Sequence, residues 1–199
     1  MTVPDNFYLA LIHHPVYDKN GSVIASAVSN LDLHDISRAA KTYGVRAFYI
    51  VTPLEDQRKL VERIVSHWTE GVGGDYNPDR RDALELIRVA ASLEDVREEI
   101  ARNGGGLPAT VATDAKPHPR SISYDAMREM IRGEHPYLLL FGTAWGMTPE
   151  YIDQSDHVLA PIMGHSGYNH LSVRSAAAIV LDRLFGRDTL DHSNRKNVK

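Results

Sequence analysis

Tyr137-Leu138-Leu139-Leu140-Phe141 runs directly into Gly142-Thr143-Ala144-Trp145-Gly146, and His157-Val158-Leu159-Ala160-Pro161-Ile162 runs into Met163-Gly164-His165-Ser166-Gly167. A compact apolar run that stops at a glycine-bearing turn is how a strand buried on both faces is written. After the second run, Leu171 to Phe185 repeats apolar residues at helical spacing (Val173, Ala177, Ile179, Val180, Leu184). Strand, loop, strand, loop, helix is the alternation of an α/β protein with a parallel sheet covered by helices.

The same grammar extends towards the N-terminus. Phe7 to Val16 (FYLALIHHPV) is a mostly apolar run closed by Pro15 and the Asp18-Lys19-Asn20-Gly21 turn. From Ser29, the apolar positions Leu33, Ile36, Ala39, Ala40 and Tyr43 mark a helix stopped by Gly44, and Arg46 to Pro53 follows as a second buried strand. The middle reads as helices over Glu55–Trp68 and Asp79–Ala91, separated by a Gly71–Pro78 loop, then a helix over Ser92–Asn103 with a Ser-x-x-Asp start. Pro108 to Thr113 is a short strand, Lys116 to Arg120 a proline-rich basic loop, and Ser123 to Arg132 a helix. No repeat or linker divides the chain, so the expectation is one domain over 1–199 with a polar tail over 187–199.

Composition narrows the chemistry. The 199 residues carry no cysteine, which excludes disulfide scaffolds, thiolate zinc sites, iron–sulfur clusters and cysteine nucleophiles. Lys and Arg number 22 against 26 Asp and Glu, a formal charge of -4, so any nucleic-acid contact must be a local basic patch. Met1 to Tyr8 has no basic segment followed by an apolar core, and no stretch approaches the roughly 18 apolar residues of a membrane helix. The expectation is a soluble cytoplasmic protein.

Strand ends with glycine loops are where open α/β sheets hold ligands, and three are visible: Pro53-Leu54, Gly142 to Gly146 and Ile162 to Gly167. None has the spacing of a phosphate-binding P-loop or a dinucleotide fingerprint. Gly164-His165-Ser166-Gly167 resembles a nucleophile elbow one residue short, which leaves a serine hydrolase with Ser166 as a distant alternative. His13 and His14 are adjacent in a strand and face opposite sides, and no His-Glu-x-x-His helix exists, so no metal site is expected. Arg174 stands in the first turn of the last helix, where a cation opposes the dipole; it is either solvated or kept for an anion or partner chain. Arg38 has Asp32 and Asp35 as surface partners within its own helix.

Three blocks in order carry a family resemblance: Asn30-Leu31-Asp32-Leu33-His34-Asp35-Ile36-Ser37-Arg38-Ala39-Ala40-Lys41-Thr42-Tyr43-Gly44-Val45; Leu139 to Met147, with its Phe-Gly-x-x-x-Gly loop; and Pro161-Ile162-Met163 through Asn169-His170-Leu171-Ser172-Val173. In these blocks the chain resembles the SPOUT superfamily of S-adenosylmethionine-dependent RNA methyltransferases, and within it a small stand-alone bacterial branch related to tRNA guanine-N1 methyltransferases. Glu55 to Arg120 carries no motif of the superfamily.

The resemblance implies a single domain with a mostly parallel sheet flanked by helices and a C-terminal deep trefoil knot, a homodimer, and an RNA substrate, with tRNA favoured. It implies S-adenosylmethionine as cofactor and S-adenosylhomocysteine as product, held by Pro53, Phe141, Gly142, Thr143, Ala144, Trp145, Gly146, Pro161, Ile162, Met163, His165, Asn169, Leu171 and Ser172. Arg38 would stand at the reaction centre, with His34 and Asp35 as proton-transfer candidates. Arg174, Lys116 and Arg120 are the RNA-binding candidates, on a rim with His118, Arg128, Arg132 and the tail residues Arg195, Lys196 and Lys199. Methyl transfer needs geometry and a proton acceptor, not metal or thiol, and so agrees with the composition. Two departures leave the target atom open between a ribose 2′-hydroxyl and a base nitrogen. Asp32 stands where the ribose branch has asparagine, and Leu171-Ser172-Val173-Arg174 where it has Leu-Asn-Val-Ser. With no appended RNA-binding domain expected, a non-catalytic cofactor- or RNA-binding module of the same fold is the alternative.

Overall fold

A computed structural model describes residues 6–187. In chain order the elements are β1 (Phe7–Ile12), β2 (Val16–Tyr17), β3 (Val23–Ile24), α1 (Asn30–Thr42), β4 (Ala47–Val51), α2 (Glu55–Thr69), α3 (Val72–Tyr76), α4 (Pro78–Leu84), β5 (Ile87–Ala90) and α5 (Leu93–Ile100). A π-helical turn over Ala101–Gly105 leads to β6 (Ala109–Thr113), β7 (Ser121–Ile122), α6 (Tyr124–Met130), β8 (Tyr137–Gly142), α7 (Pro149–Asp153), β9 (His157–Leu159) and α8 (Val173–Phe185).

Seven strands form one sheet in the order β5-β4-β1-β8-β6-β9-β7, and each pairing within it is parallel. The runs that read as buried strands occupy its centre: β1 pairs with β4 and β8 over nearly its whole length. Side-chain alternation splits the core into two layers. Phe7, Leu9 and Leu11 of β1, with Leu139 and Phe141 of β8, face α1, α2, α4, α6 and α8 through Leu33, Ile36, Val61, Leu84, Met127, Ala177, Val180, Leu181 and Leu184. Tyr8, Ala10 and Ile12, with Leu138 and Leu140, face α5 and α7 through Val96, Ile100 and Ile152. Each of these large side chains, removed from water, contributes roughly 2 kcal/mol. A sheet clad on both faces cannot show polar alternation, which is why its strands are uniformly apolar.

Local chemistry sets where the helices begin and end. Ser92 and Asp95 form a reciprocal capping box at α5. Gly44, at φ 70, takes the left-handed conformation that stops the chain after α1. Ser123 and Ser172 cap α6 and α8 by accepting from Ala126 N and Ser175 N.

Several boundaries differ from the sequence expectation. The stretch Asp79–Ala91, expected as one helix, is α4 followed by the strand β5; Ile87-Arg88-Val89-Ala90 gains its conformation by pairing with β4 at the sheet edge, a non-local bond that helical spacing does not register. The Gly71–Pro78 loop contains α3. The long first run ends at Ile12, and Val16–Tyr17 turns away to form a small antiparallel hairpin with β3. Of the last helix's expected core, Ala177, Val180 and Leu184 are buried, Val173 and Ile179 only half-buried, and Leu181 takes the remaining inward position. Arg195, Lys196 and Lys199 of the expected basic rim, and the polar tail beyond residue 187, lie outside the described residues.

Candidate active site

The order β8-β6-β9 brings three carboxyl strand ends side by side: Gly142, Thr113 and Leu159. The loop after β8 is held rigidly. Tyr17 N donates to Gly146 O (3.0 Å) and Trp145 N to Tyr17 O (3.0 Å), tying it to the β2–β3 hairpin. Ala144 and Gly146 both take positive φ, 51 and 98, and a Cβ on Gly142 would lie 2.8 Å from Met147 N. The loop therefore folds back on itself through a contact only glycine permits, with Ala144 strained in a conformation that L residues avoid.

The β9–α8 loop is tied in turn to the loop after β6, because Asn169 Nδ2 donates to Ala115 O at 2.7 Å. Thr113 Oγ1 donates to Leu140 O at 2.9 Å, bracing β6 against β8. Trp145, Met163 and Leu171 present exposed apolar side chains on these loops. The Thr113–Ala115 segment at the centre of the three strand ends was missing from the sequence-derived site; its only signal was a strand followed by Asp114. Pro53, expected with the cofactor residues, is at the end of β4, on the far side of β1 and roughly 10 Å from β8.

Beside β8, the end of β1 carries a buried polar chain. His13 has no exposed surface; its Nδ1 is 2.9 Å from Ser26 Oγ, which is 2.6 Å from Thr143 Oγ1, which donates to Ile12 O at 3.0 Å. Thr143 uses its hydrogen on Ile12 O and so accepts from Ser26, and Ser26 in turn accepts from His13 Nδ1–H. Nε2 is then a bare acceptor, buried and without a partner among the described residues. Burial pushes the His13 pKa down to about 4, only partly opposed by a hydrogen bond with the Ser26 backbone. This neutral chain holds Thr143, and with it the glycine loop, against β1.

The motif helix α1 meets the same region through α8. Arg174, one residue into α8, bonds Asp32 Oδ1 (3.2 Å) and lies 3.5 Å from Asp35 Oδ2. Its partners are thus within the chain, and Asp32 and Asp35 are taken by Arg174 and not by Arg38. The exposed guanidinium of Arg38 instead joins His34 and Asp35 in lining a groove of about 750 Å³ between α1, α2 and α4, together with Arg63, His67, Trp68 and Arg80. Arg80 stacks on Trp68 at 4.8 Å, and His34 meets the same ring edge-on at 5.5 Å. Among the described residues, His34 Nδ1 is buried without a partner. Burial first, then the charge of Arg80, lowers the His34 pKa against the opposing pull of Asp35, with Arg38 adding to the lowering, so the ring is neutral near physiological pH. Arg63, His67, Trp68 and Arg80 belong to the segment without motifs; only the i, i+4 spacing of Arg63 and His67 hinted at a shared face.

The other expected residues are less concentrated. Phe141 is in the core, Pro161 and Ile162 are half-buried, and His165 is exposed. Lys116 is exposed, whereas the Arg120 guanidinium is engaged by the carbonyls of Ile152, Asp153 and Ser155 at the end of α7. Ser166 hydrogen-bonds only the backbone of Tyr168, with no imidazole on its hydroxyl among the described residues, so the site offers no base for a serine nucleophile. Among the described residues no group of three or more His, Cys, Asp or Glu is arranged to hold a metal, and no helix is long and apolar enough to cross a membrane.

Known proteins place this geometry in a family. Residues 6–186 match the family model described as SAM-dependent RNA methyltransferase. A tRNA (guanine-N(1)-)-methyltransferase of Oleidesulfovibrio alaskensis is 44% identical over 181 residues, which are 91% of this chain but only 42% of that protein. The chain thus spans less than half the length of that relative. An Aquifex aeolicus protein described as uncharacterized is 38% identical over 190 residues, covering 95% of this chain and 93% of its own. Among solved structures, the A. aeolicus TrmH/SpoU tRNA modifying enzyme shares the fold, with a TM-score of 0.54 at 14% identity over 90% of this chain and 74% of that one. With a match over nearly all of its described residues, the chain belongs to the SAM-dependent RNA methyltransferase family.

Proposed function

We propose that the protein transfers a methyl group from S-adenosylmethionine to tRNA, on a ribose 2′-hydroxyl or a base nitrogen, as a cytoplasmic homodimer. Its single domain would thread the C-terminal segment through a trefoil knot. The observation that carries this reading is the Arg174 bridge to Asp32 and Asp35. It clamps the helix bearing Arg38 to the first turn of α8, immediately after the glycine-rich loop over residues 160–172. A cofactor loop and a candidate reaction centre are thereby locked in one geometry, which is what an in-line transfer demands.

The residues fit the cofactor. Exposed apolar Trp145, Met163 and Leu171 suit an adenine face, and around Gly164 and Gly167 nothing lies within 4 Å of a would-be Cβ, leaving the backbone open to approach. S-adenosylmethionine held there would supply an electrophilic methyl group, the electron pair of the broken C–S bond staying on its sulfur. Gly142 to Gly146 and Ile162 to Ser172 would hold its nucleoside end. Arg38 orients a phosphate of the RNA beside the nucleophile. Neutral His34 accepts the proton that the nucleophile loses. Asp35, engaged by Arg174, positions α1.

Tritiated methyl transfer into bulk tRNA from cells lacking the protein tests the reading, with nucleoside mass spectrometry identifying the methylated atom. Arg38→Ala is expected to lower transfer at least a hundredfold while calorimetry shows S-adenosylmethionine bound as in the wild type. No transfer by the wild type, with cofactor still bound, would favour the non-catalytic module; equal loss of cofactor affinity in the variant would make Arg38 structural.

A further inference from the structure

We propose that the groove between α1, α2 and α4 is the track for the RNA ribose-phosphate backbone, with Arg63 and Arg80 as phosphate-binding residues beside Arg38. This rests on the RNA-methyltransferase reading and assigns it a substrate path from a segment that carries no family motif.

Three arginines from three different helices face one groove in a chain whose net charge is -4. Among the described residues, the guanidiniums of Arg38 and Arg63 have neither a hydrogen bond nor a carboxylate within 4 Å, and Arg80 rests on the Trp68 ring with no acid partner. The groove's one carboxylate, Asp35, is drawn towards Arg174. Elsewhere the arginines are mostly answered. Arg97, Arg102, Arg128 and Arg132 pair with acids three or four residues before them, and Arg120 with α7. Cations gathered without counter-charges repel one another, and a ligand that supplies several negative charges along a line relieves that repulsion.

A groove of about 750 Å³ is far larger than one phosphate ion, and arginines on separate helices suit an extended polyanion. Arg80, its guanidinium carbon 4.8 Å from the Trp68 ring centroid, is held by a cation–π contact that leaves its planar fork for a phosphate. Arg38 is shared between this groove and the proposed reaction centre, so a strand lying here delivers its neighbouring nucleotide to His34.

The test is fluorescence anisotropy with bulk bacterial tRNA, end-labelled with fluorescein, titrated with the full chain at several salt concentrations. Arg63→Gln and Arg80→Gln are each expected to weaken binding about three- to tenfold and to flatten the slope of log Kd against log salt by roughly one unit. Arg80→Lys should keep the slope, which separates charge from the stacking that Arg80 gives Trp68. Cofactor affinity by calorimetry should stay unchanged in all three. Unchanged RNA affinity and salt slope in variants of an enzyme that still methylates tRNA would overturn the groove assignment alone. Displacement of tRNA by inorganic pyrophosphate far beyond what equal ionic strength produces would overturn it too, as a small-anion site. A wild type that binds no tRNA would overturn the methyltransferase reading and this inference with it.

Discussion

Protonation of His13 should destabilise the fold by an amount that its hydrogen-bond chain sets. The ring is fully buried, its Nδ1–H is committed to Ser26, and among the described residues its Nε2 has no hydrogen-bond partner to take a second proton. The folded-state pKa is about 4, against 6.5 for a free imidazole. A depressed histidine pKa means that the unfolded chain binds the proton first. Stability from this site is therefore complete above about pH 7, declines as pH falls through 6.5, and levels off below about 4. The full difference of about 2.5 units corresponds to about 3 kcal/mol, of which roughly 2 kcal/mol is lost by about pH 5. Urea unfolding followed by circular dichroism at about pH 8 and pH 5, on wild type and His13→Asn, reads this directly. The variant has no titrating ring, so the stability gap between the two proteins should narrow by about 2 kcal/mol at the lower pH. Nitrogen chemical shifts of the imidazole should show the Nδ1–H tautomer. A gap that stays constant with pH, or a ring that titrates near 6.5, would refute the assignment of the buried chain.

Two further outcomes follow from the site's scaffold. Arg174→Ala should cost about 1–3 kcal/mol in urea unfolding, because it leaves Asp32, whose side chain is only 13% exposed, without its counter-charge; Asp32→Asn in the same background should recover part of the loss. Gly142→Ala should cost about 1–3 kcal/mol and weaken S-adenosylmethionine binding in calorimetry, since the new Cβ would press on Met147 N at 2.8 Å and must shift the loop.

Much of this architecture is legible residue by residue. Uniformly apolar runs such as Leu138-Leu139-Leu140 report burial on both sheet faces, and Leu33, Ile36 and Ala40 report one buried helix face. Each is a local consequence of where side chains point, and each holds in the structure. Caps and stops behave likewise: Ser92 with Asp95, and Gly44, satisfy or end a helix using neighbours in sequence. The glycine loops after β8 and β9 were equally visible as strand ends. What periodicity could not separate was Asp79–Leu84 from Ile87–Ala90, because the strand owes its conformation to β4, far away in the chain.

By itself, then, the sequence determined the α/β layering, the glycine-bearing strand ends and the family resemblance of three motif blocks, because short-range spacing encodes burial and turn geometry. Only the tertiary structure decided which strand ends are neighbours, and so placed Thr113–Ala115 between the two glycine loops and Pro53 beyond β1. It joined Arg174 to Asp32 across 142 positions, and His13 through Ser26 to Thr143, turning residues that looked solvated or incidental into supports of one site. It also gathered Arg63 and Arg80 beside Arg38. Those pairings depend on how helices dock across the sheet, and docking is settled by the sum of many buried contacts, which no local window of residues contains.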